Sequence, residues 1–199
     1  MNSPHDPVRF AAAIAVFDAA NADDPNQDLD ADGHTWPKEV LYAQRMSSCL
    51  AHVAPTASEA VRLAARSQHI RRWAIPRRTF PMDRPGYHHW RNSLKKHHAE
   101  LAGQLLTEVG YDAVTIARVQ TLVQKQQLAT DADTQLLEDV ICLVFLEHYF
   151  LDFARQHPDD KVIDIVQKTW RKMTARGHEL ALQLPLTTET QRLITKALA

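Results

Sequence analysis

One segment constrains the fold more than any other. Between about Asp133 and Arg155 the chain runs through LLEDVICLVFLEHYFLDF, which is apolar on nearly every side when wound as a helix. A helix of that kind is stable only when other elements cover it, so it belongs in the middle of a packed structure. The run carries charges and falls short of the roughly 20 apolar residues that span a bilayer. The rest of the chain repeats the helical signal, with apolar residues at three- and four-residue spacing. Strand-like alternation is absent and there are only five glycines in 199 residues. The expectation is an all-α protein, a single-domain helical bundle of about eight or nine helices.

The helix boundaries follow from breakers and caps. A first helix is expected over about Asp6–Asn21, followed by an acidic loop over 22–36 (DDPNQDLDADG within it). A second starts near Pro37, a residue suited to a first turn, and ends near Val53. A third starts at the Ser58 cap and runs to Trp73. The segment 75–86 holds Pro76, Pro81, Pro85 and Gly86 and reads as an arginine-rich loop. A fourth helix covers about Tyr87–Val109, stopped by Gly110. A fifth covers Asp112–Gln127, and the sixth is the apolar one. Residues 159–199 form a C-terminal helical extension with breaks near Gly177 and Pro185. Cys49 and Cys142 sit in apolar helical patterns, as buried free thiols do. The polar N-terminus MNSPHDPVRF lacks a signal-peptide core, and the expected setting is cytoplasmic, with no membrane partner.

Charge is distributed unevenly. The net charge is only −1, yet between Arg62 and His98 ten lysines and arginines face one acid, Asp83. Five histidines share that stretch: His69, His88, His89, His97 and His98. Such a segment attracts phosphates or other polyanions. Arg72, Arg77, Arg78, Arg84 and Arg91 are the candidate phosphate clamps, since arginine grips phosphate through two parallel N–H bonds. Tyr87, with Trp73 and Trp90, could stack on a base or cover a site; for the two tryptophans core packing is the plainer reading.

Several polar groups fall on faces that should be buried. Glu39 lies on the Ala43–Met46–Leu50–Val53 stripe, where a carboxylate needs a cation, a donor or a metal. It also fits an exposed first turn, where acids suit the helix dipole. On the fourth helix the expected stripe is Trp90, Leu94, Leu101, Leu105 and Val109, with His98 near its middle and His97 at its edge. A lone histidine there is either a hydrogen-bonded core residue or a ligand. His69 poses the same choice. Glu138, Asp139 and Glu147 interrupt the apolar sixth helix, as ion pairs or as functional groups. Neutral imidazoles and carboxylates converging from several helices are the donor set of a Zn, Mn, Fe or Ni centre.

The segments EVLYAQRM, LAARSQHIRRWAIPR, PMDRPGYHHWR, HAELAGQLL and LEDVICLVFLEHYF together resemble the uncharacterised DUF4202 family over nearly the whole chain. A weaker resemblance is to HD-domain metal-dependent phosphohydrolases, which are all-α. In that resemblance LAARSQHI supplies His69 as the histidine of the His–Asp pair, HAELAGQLL an added histidine at His98, and LEDV the late aspartate at Asp139. Ile70 replaces the aspartate of the pair, and Glu39 stands where the early histidine is expected. The resemblance therefore implies a divalent metal on Glu39, His69, His98 and Asp139, altered from the family pattern. Glu138 and Lys125 are the candidate catalytic residues.

Two functions fit these residues. One is a metal-dependent hydrolase of a phosphorylated or nucleotide-like small anion. The other is a non-enzymatic helical module that binds nucleic acid or a compact anion through the 62–98 stretch. An interaction scaffold, or an oxygenase using the same ligands, is a third.

Overall fold

In the computed structural model, which describes residues 6–198, the chain is all-α apart from one small hairpin. Ten α-helices and two 3-10 turns are present among the described residues, slightly more helices than the sequence pattern suggests. The chain packs as two compact units, Met1–Gln127 and Leu128–Ala199.

The first unit holds α1 (Pro7–Ala22), β1 (Gln27–Leu29), β2 (Thr35–Pro37), α2 (Lys38–Val53), α3 (Glu59–Ser67), α4 (Arg84–Glu108) and α5 (Ala113–Val123). The helix starts are set by side chains that accept from otherwise unpaired backbone N–H groups. Asp6 caps α1, Ser58 caps α3, Asp83 caps α4 and Asp112 caps α5. Gly110 ends α4 in the left-handed conformation at φ 85°, and the Tyr111 N–H donates back to the Leu106 carbonyl, a glycine-terminated helix end. Helix α3 packs on α2 and α5, α4 on α5, and α1 on α2, α3 and α4. Phe17, Met46, Leu50, Leu63, Ile70, Leu106 and Leu122 are fully buried in this unit.

Several expectations are corrected here. The acidic loop 22–36 contains a two-stranded antiparallel hairpin with Asp28 opposite Trp36. Three-residue strands are too short to show alternation. The third helix ends at Ser67 rather than Trp73, because Arg71 turns left-handed at φ 47° and ψ 42°. The arginine-rich loop carries a 3-10 turn at Arg77–Thr79, and α4 starts at Arg84, with Pro85 in its first turn, instead of at Tyr87. The buried face of α4 is also rotated from the expected one. It runs Leu94, His98, Ala99, Ala102, Gly103 and Leu106, while Leu101 and Leu105 are only half-buried. Small residues there admit α5 at close range, a reason for burial that a count of large apolar side chains misses.

The second unit holds α6 (Ala132–His148), α7 (Phe150–Arg155), α8 (Asp159–Trp170), α9 (Ala175–Leu182) and α10 (Thr188–Leu198). Helix α6 is buried around much of its circumference, from Thr134 and Leu137 to Leu146, as its all-round apolarity requires. The single helix expected over 133–155 breaks at Tyr149, where φ is −126°. Gly177 does not interrupt a helix; it lies in the first turn of α9, capped by Thr174. Gly177 fits because a Cβ there would sit 2.8 Å from the Asp139 carboxylate. Helix α10 is fastened to α8 by the Lys196–Asp159 ion pair at 2.6 Å and by Gln167 donating to the Ala197 carbonyl at 3.0 Å. Cys142 is buried and Cys49 half-buried, and neither is in a disulfide. No described helix is long and apolar enough to cross a membrane.

Candidate functional site

The five residues after α3, Gln68 to Arg72, are held by four contacts from three helices. Gln68 donates to the Val123 carbonyl at the end of α5 at 3.4 Å. The Ile70 carbonyl accepts from His98 Nδ1 of α4 at 2.8 Å. The Arg71 N–H donates to Asn21 Oδ1 at the end of α1 at 2.8 Å. The Arg72 guanidinium lies over the Trp90 ring of α4 at 5.1 Å, a cation–π contact. The left-handed Arg71 is thus fixed by a partner 50 positions away. Backbone conformations of this kind persist where the surroundings impose them, and they cluster at functional sites.

Around this turn the structure assembles Glu39, Tyr42, His69, Arg72 and His98. Glu39 is only 6 % exposed. Its Oε2 lies 3.5 Å from His69 Nδ1 and its Oε1 lies 4.0 Å from Arg72 Nε. Tyr42, one turn along α2, stacks on His69 with ring centres 4.1 Å apart. Arg72 Nη1 donates to His69 Nε2 at 3.1 Å. Because a guanidinium can only donate, Nε2 is the acceptor and Nδ1 carries the proton that faces Glu39. The start of α2 is anchored by residues that sequence reasoning passed over. Asp24 Oδ2 accepts from the Glu39 N–H at 3.0 Å, and Asn21 Nδ2 donates to the Glu39 carbonyl at 3.4 Å. Both are buried. Polar residues in a breaker-rich segment read as solvated, and nothing local marks them as helix anchors.

Burial sets the protonation of the cluster. It raises the Glu39 carboxyl to about 7, against the pull of Arg72. It holds His69 well below the ordinary imidazole range, helped by Arg72, His98, Arg91 and Lys125. It lowers His98 to about 3, although the bond to the Ile70 carbonyl opposes this. Both imidazoles are therefore neutral at physiological pH. With Nδ1 of His98 committed as a donor, Nε2 is a pure acceptor, and that atom is buried without a partner. His97 Nε2, 5.7 Å away by ring centres, is likewise buried without one. Buried ring nitrogens are ordinarily paired with protein, water, an ion or a ligand. The cluster is not sealed, since the His69 side chain keeps 21 % of its surface and Arg72 keeps 25 %.

The other expected site residues divide clearly. Arg91 on α4 is half-buried and acts electrostatically on Arg72, His69 and His98. Lys125, in the turn after α5, is half-buried and left-handed at φ 57°. Arg77 donates to the Phe80 and Asp83 carbonyls and so holds its own loop. Arg78, Arg84 and Tyr87 are exposed. Elsewhere in the basic stretch, Arg66 is buried in a two-pronged pair with Asp18 at 2.8 and 2.6 Å, and Arg62 donates to the Pro55 carbonyl. The stretch is therefore partly structural and does not form one continuous cationic face. Trp90 donates to the Ile75 carbonyl at 2.8 Å and serves as a wall of the site.

Glu138 and Asp139 belong to the second unit. Both are buried. Asp139 accepts from Thr174 N at 2.9 Å and Thr174 Oγ1 at 2.5 Å, which fastens the start of α9 to α6. Glu138 lies 3.7 Å from Lys172 Nζ. Glu147 is half-buried beside His148.

A family described as a domain of unknown function, DUF4202, matches residues 11–194. The chain belongs to the DUF4202 family. No curated protein and no solved structure matches it. The likeness to HD-domain phosphohydrolases therefore rests on the quoted residues alone. As to metals, among the described residues the acidic and imidazole groups whose ligand atoms already lie within 4.8 Å of one another are Asp30, Asp32 and His34. These sit on the exposed hairpin turn of the family domain, where Asp30 accepts from Trp36 Nε1 and from the Asp32 and His34 N–H groups. Those donors lower the Asp30 carboxyl to about 2, and they account for the turn without an ion. Glu39, His69 and His98 are brought together but not closed to that distance.

Proposed function

We propose that the protein is a metal-dependent hydrolase of a phosphorylated or nucleotide-like anion, centred on Glu39, His69 and His98 in the first unit. The observation that carries this reading is the partnerless, buried Nε2 of His98. An imidazole held below its ordinary range is a poor proton acceptor, which argues against a general base. A neutral imidazole whose other N–H is anchored to a backbone carbonyl is the usual form of a histidine ligand. The donor set fits: a cation beside Glu39 would favour the ionised carboxylate that burial now disfavours. A divalent ion held there supplies a lowered pKa for bound water and polarisation of a phosphoryl oxygen. The chain's own groups do the rest. Arg72 binds the anion, and in turning to it releases His69 Nε2. Glu39 holds the His69 Nδ1 proton, Tyr42 fixes the imidazole plane, and the Trp90 face keeps water from the inner side of the guanidinium.

Elemental analysis of untagged protein, purified without chelator, tests this. The expected result is a stoichiometric amount of Mn, Fe, Zn or Ni that is lost in a folded His98→Ala variant, with metal-dependent release of phosphate in a phosphoester screen. Protein that is metal-free and cannot be loaded would refute the reading. It would leave the anion-binding module as the better account.

A further inference from the structure

We propose that Arg72 is a built-in stopper of the cation site: its guanidinium and a divalent cation compete for His69 Nε2, so the cation enters only as Arg72 swings out. This rests on the reading above for the cation itself and adds the event that controls its uptake.

The contacts of one side chain carry the inference. Arg72 Nη1 donates to His69 Nε2 at 3.1 Å, and Arg72 Nε lies 4.0 Å from Glu39 Oε1. A single guanidinium therefore lies against two of the three candidate ligands. The contact to His69 decides the chemistry. His69 Nδ1 faces Glu39 Oε2 at 3.5 Å and carries the ring proton, so Nε2 holds the one lone pair the neutral imidazole can give a metal. An N–H donor and a metal bond cannot share that lone pair. The guanidinium cannot make room by losing a proton, and its charge is repelled by a divalent ion beside it. It has to move. His98 shows the opposite condition. Its Nδ1 is bonded to the Ile70 carbonyl at 2.8 Å, and its Nε2 is buried without a partner. The two ring centres stand 5.9 Å apart, so an imidazole free to ligate sits beside one that is masked. Arg72 also has a way out. Its side chain is 25 % exposed, and beyond His69 and Glu39 the guanidinium rests on the Trp90 ring at 5.1 Å. An anion that draws Arg72 outward would then tighten the cation, and by reciprocity the cation would tighten the anion by the same factor.

Calorimetric titration of the full chain with Zn and with Mn tests this in the parent, Arg72→Met, Arg72→Ala and Arg91→Gln, each checked for folding by circular dichroism. Methionine keeps much of the arginine stem and cannot donate. Arg91 influences His69 through its charge, so Arg91→Gln measures what the loss of a positive charge does by itself. The Arg72 variants should bind the cation about tenfold or more tightly than the parent, as release of a charge-assisted contact implies, and more tightly than Arg91→Gln. Zn should also change the parent's tryptophan emission as the guanidinium leaves Trp90, and change that of Arg72→Met much less. Equal affinity in the parent and a folded Arg72 variant, tightening no greater than in Arg91→Gln, or a cation bound with no change in the parent's emission would each overturn the proposal. Protein that takes up no cation in any variant refutes the hydrolase as well, whereas uptake indifferent to Arg72 refutes the stopper alone, so the two failures are distinguishable.

Discussion

Glu39 makes the folded protein sensitive to alkali, and its removal should stabilise it. The carboxyl is buried beside His69 and Arg72, and burial raises it to about 7 in the folded state, against an ordinary value of 4.5. The sign follows from linkage. Below pH 4.5 both states carry the proton and nothing is lost. Between 4.5 and 7 the unfolded chain releases it while the folded one retains it, so stability falls as pH rises and levels off above 7. The full loss is about 3 kcal/mol. Glu39→Gln keeps the shape and removes the charge. At pH 4.5 the folded-state carboxyl is neutral, so the exchange loses only the contacts of its O–H, a cost of about 1 kcal/mol. The variant should therefore be about 1 kcal/mol less stable than the parent at pH 4.5 and about 2 kcal/mol more stable at pH 8. Urea unfolding with chelator present reads this, since a bound cation would ionise Glu39 and erase the difference. Replacing Trp170 by Phe in both proteins leaves Trp36, Trp73 and Trp90 to report the first unit. His69 and His98, whose lowered values cost stability on the acid side, are present in both proteins and largely cancel. A variant-minus-parent difference that does not change between pH 4.5 and 8 would refute the reasoning.

Four further outcomes are expected. His98→Gln should flatten the acid limb of the stability profile, because a histidine lowered from 6.5 to about 3 loses stability as pH falls through that range, up to about 5 kcal/mol; an unchanged acid limb would place the titration elsewhere. Arg71→Gly should raise stability or leave it unchanged, since Arg71 is exposed and left-handed, and a clear loss in thermal unfolding would show that its side chain, not its backbone, matters. Asp139→Ala should destabilise the second unit by about 2 kcal/mol through the lost Thr174 bonds; unchanged stability in thermal unfolding would show that those bonds add nothing net. Gly177→Ala should cost about 1–3 kcal/mol by overpacking against Asp139, and a gain in melting temperature would show that the carboxylate yields.

The parts of the fold that sequence made legible are those set by local chemistry. Asp6, Ser58 and Asp112 cap helices where a short acceptor precedes an apolar run, and Gly110 ends α4 because the chain there must turn left-handed. Glu39 and His98 could be placed on buried faces because helical spacing is fixed at 3.6 residues per turn. What spacing cannot show is where α3 stops. No glycine or proline follows Ser67; the chain turns because Asn21, far away in sequence, accepts from the Arg71 N–H. The hairpin escaped for a related reason, since its order comes from Asp30 gathering Trp36 and two backbone N–H groups. The basic stretch misled in a different way. Charge counting treats Arg62, Arg66 and Arg77 as equal to Arg72, yet the first three are used up on Pro55, Asp18 and the Phe80–Asp83 loop.

That division of the arginines narrows what the site can be. Had the stretch been exposed along its length, the simplest use of it would be a nucleic-acid backbone, which needs many weakly held cations spread over a surface. Here the cations that act on His69 are half-buried and few: Arg72 and Lys125 lie in turns and Arg91 on α4. Arg72 is in addition pressed between the Trp90 ring and the Glu39–His69 pair. Ordering a side chain that way costs entropy, and a diffuse electrostatic surface gains nothing from it. A compact ligand that must be aligned against two neutral imidazoles does gain, because alignment is what a guanidinium backed by the Trp90 ring supplies. The partnerless Nε2 of His98 points the same way: it is an acceptor that only a ligand, water or ion inside the cluster can satisfy, and no polyanion lying across the surface can reach it.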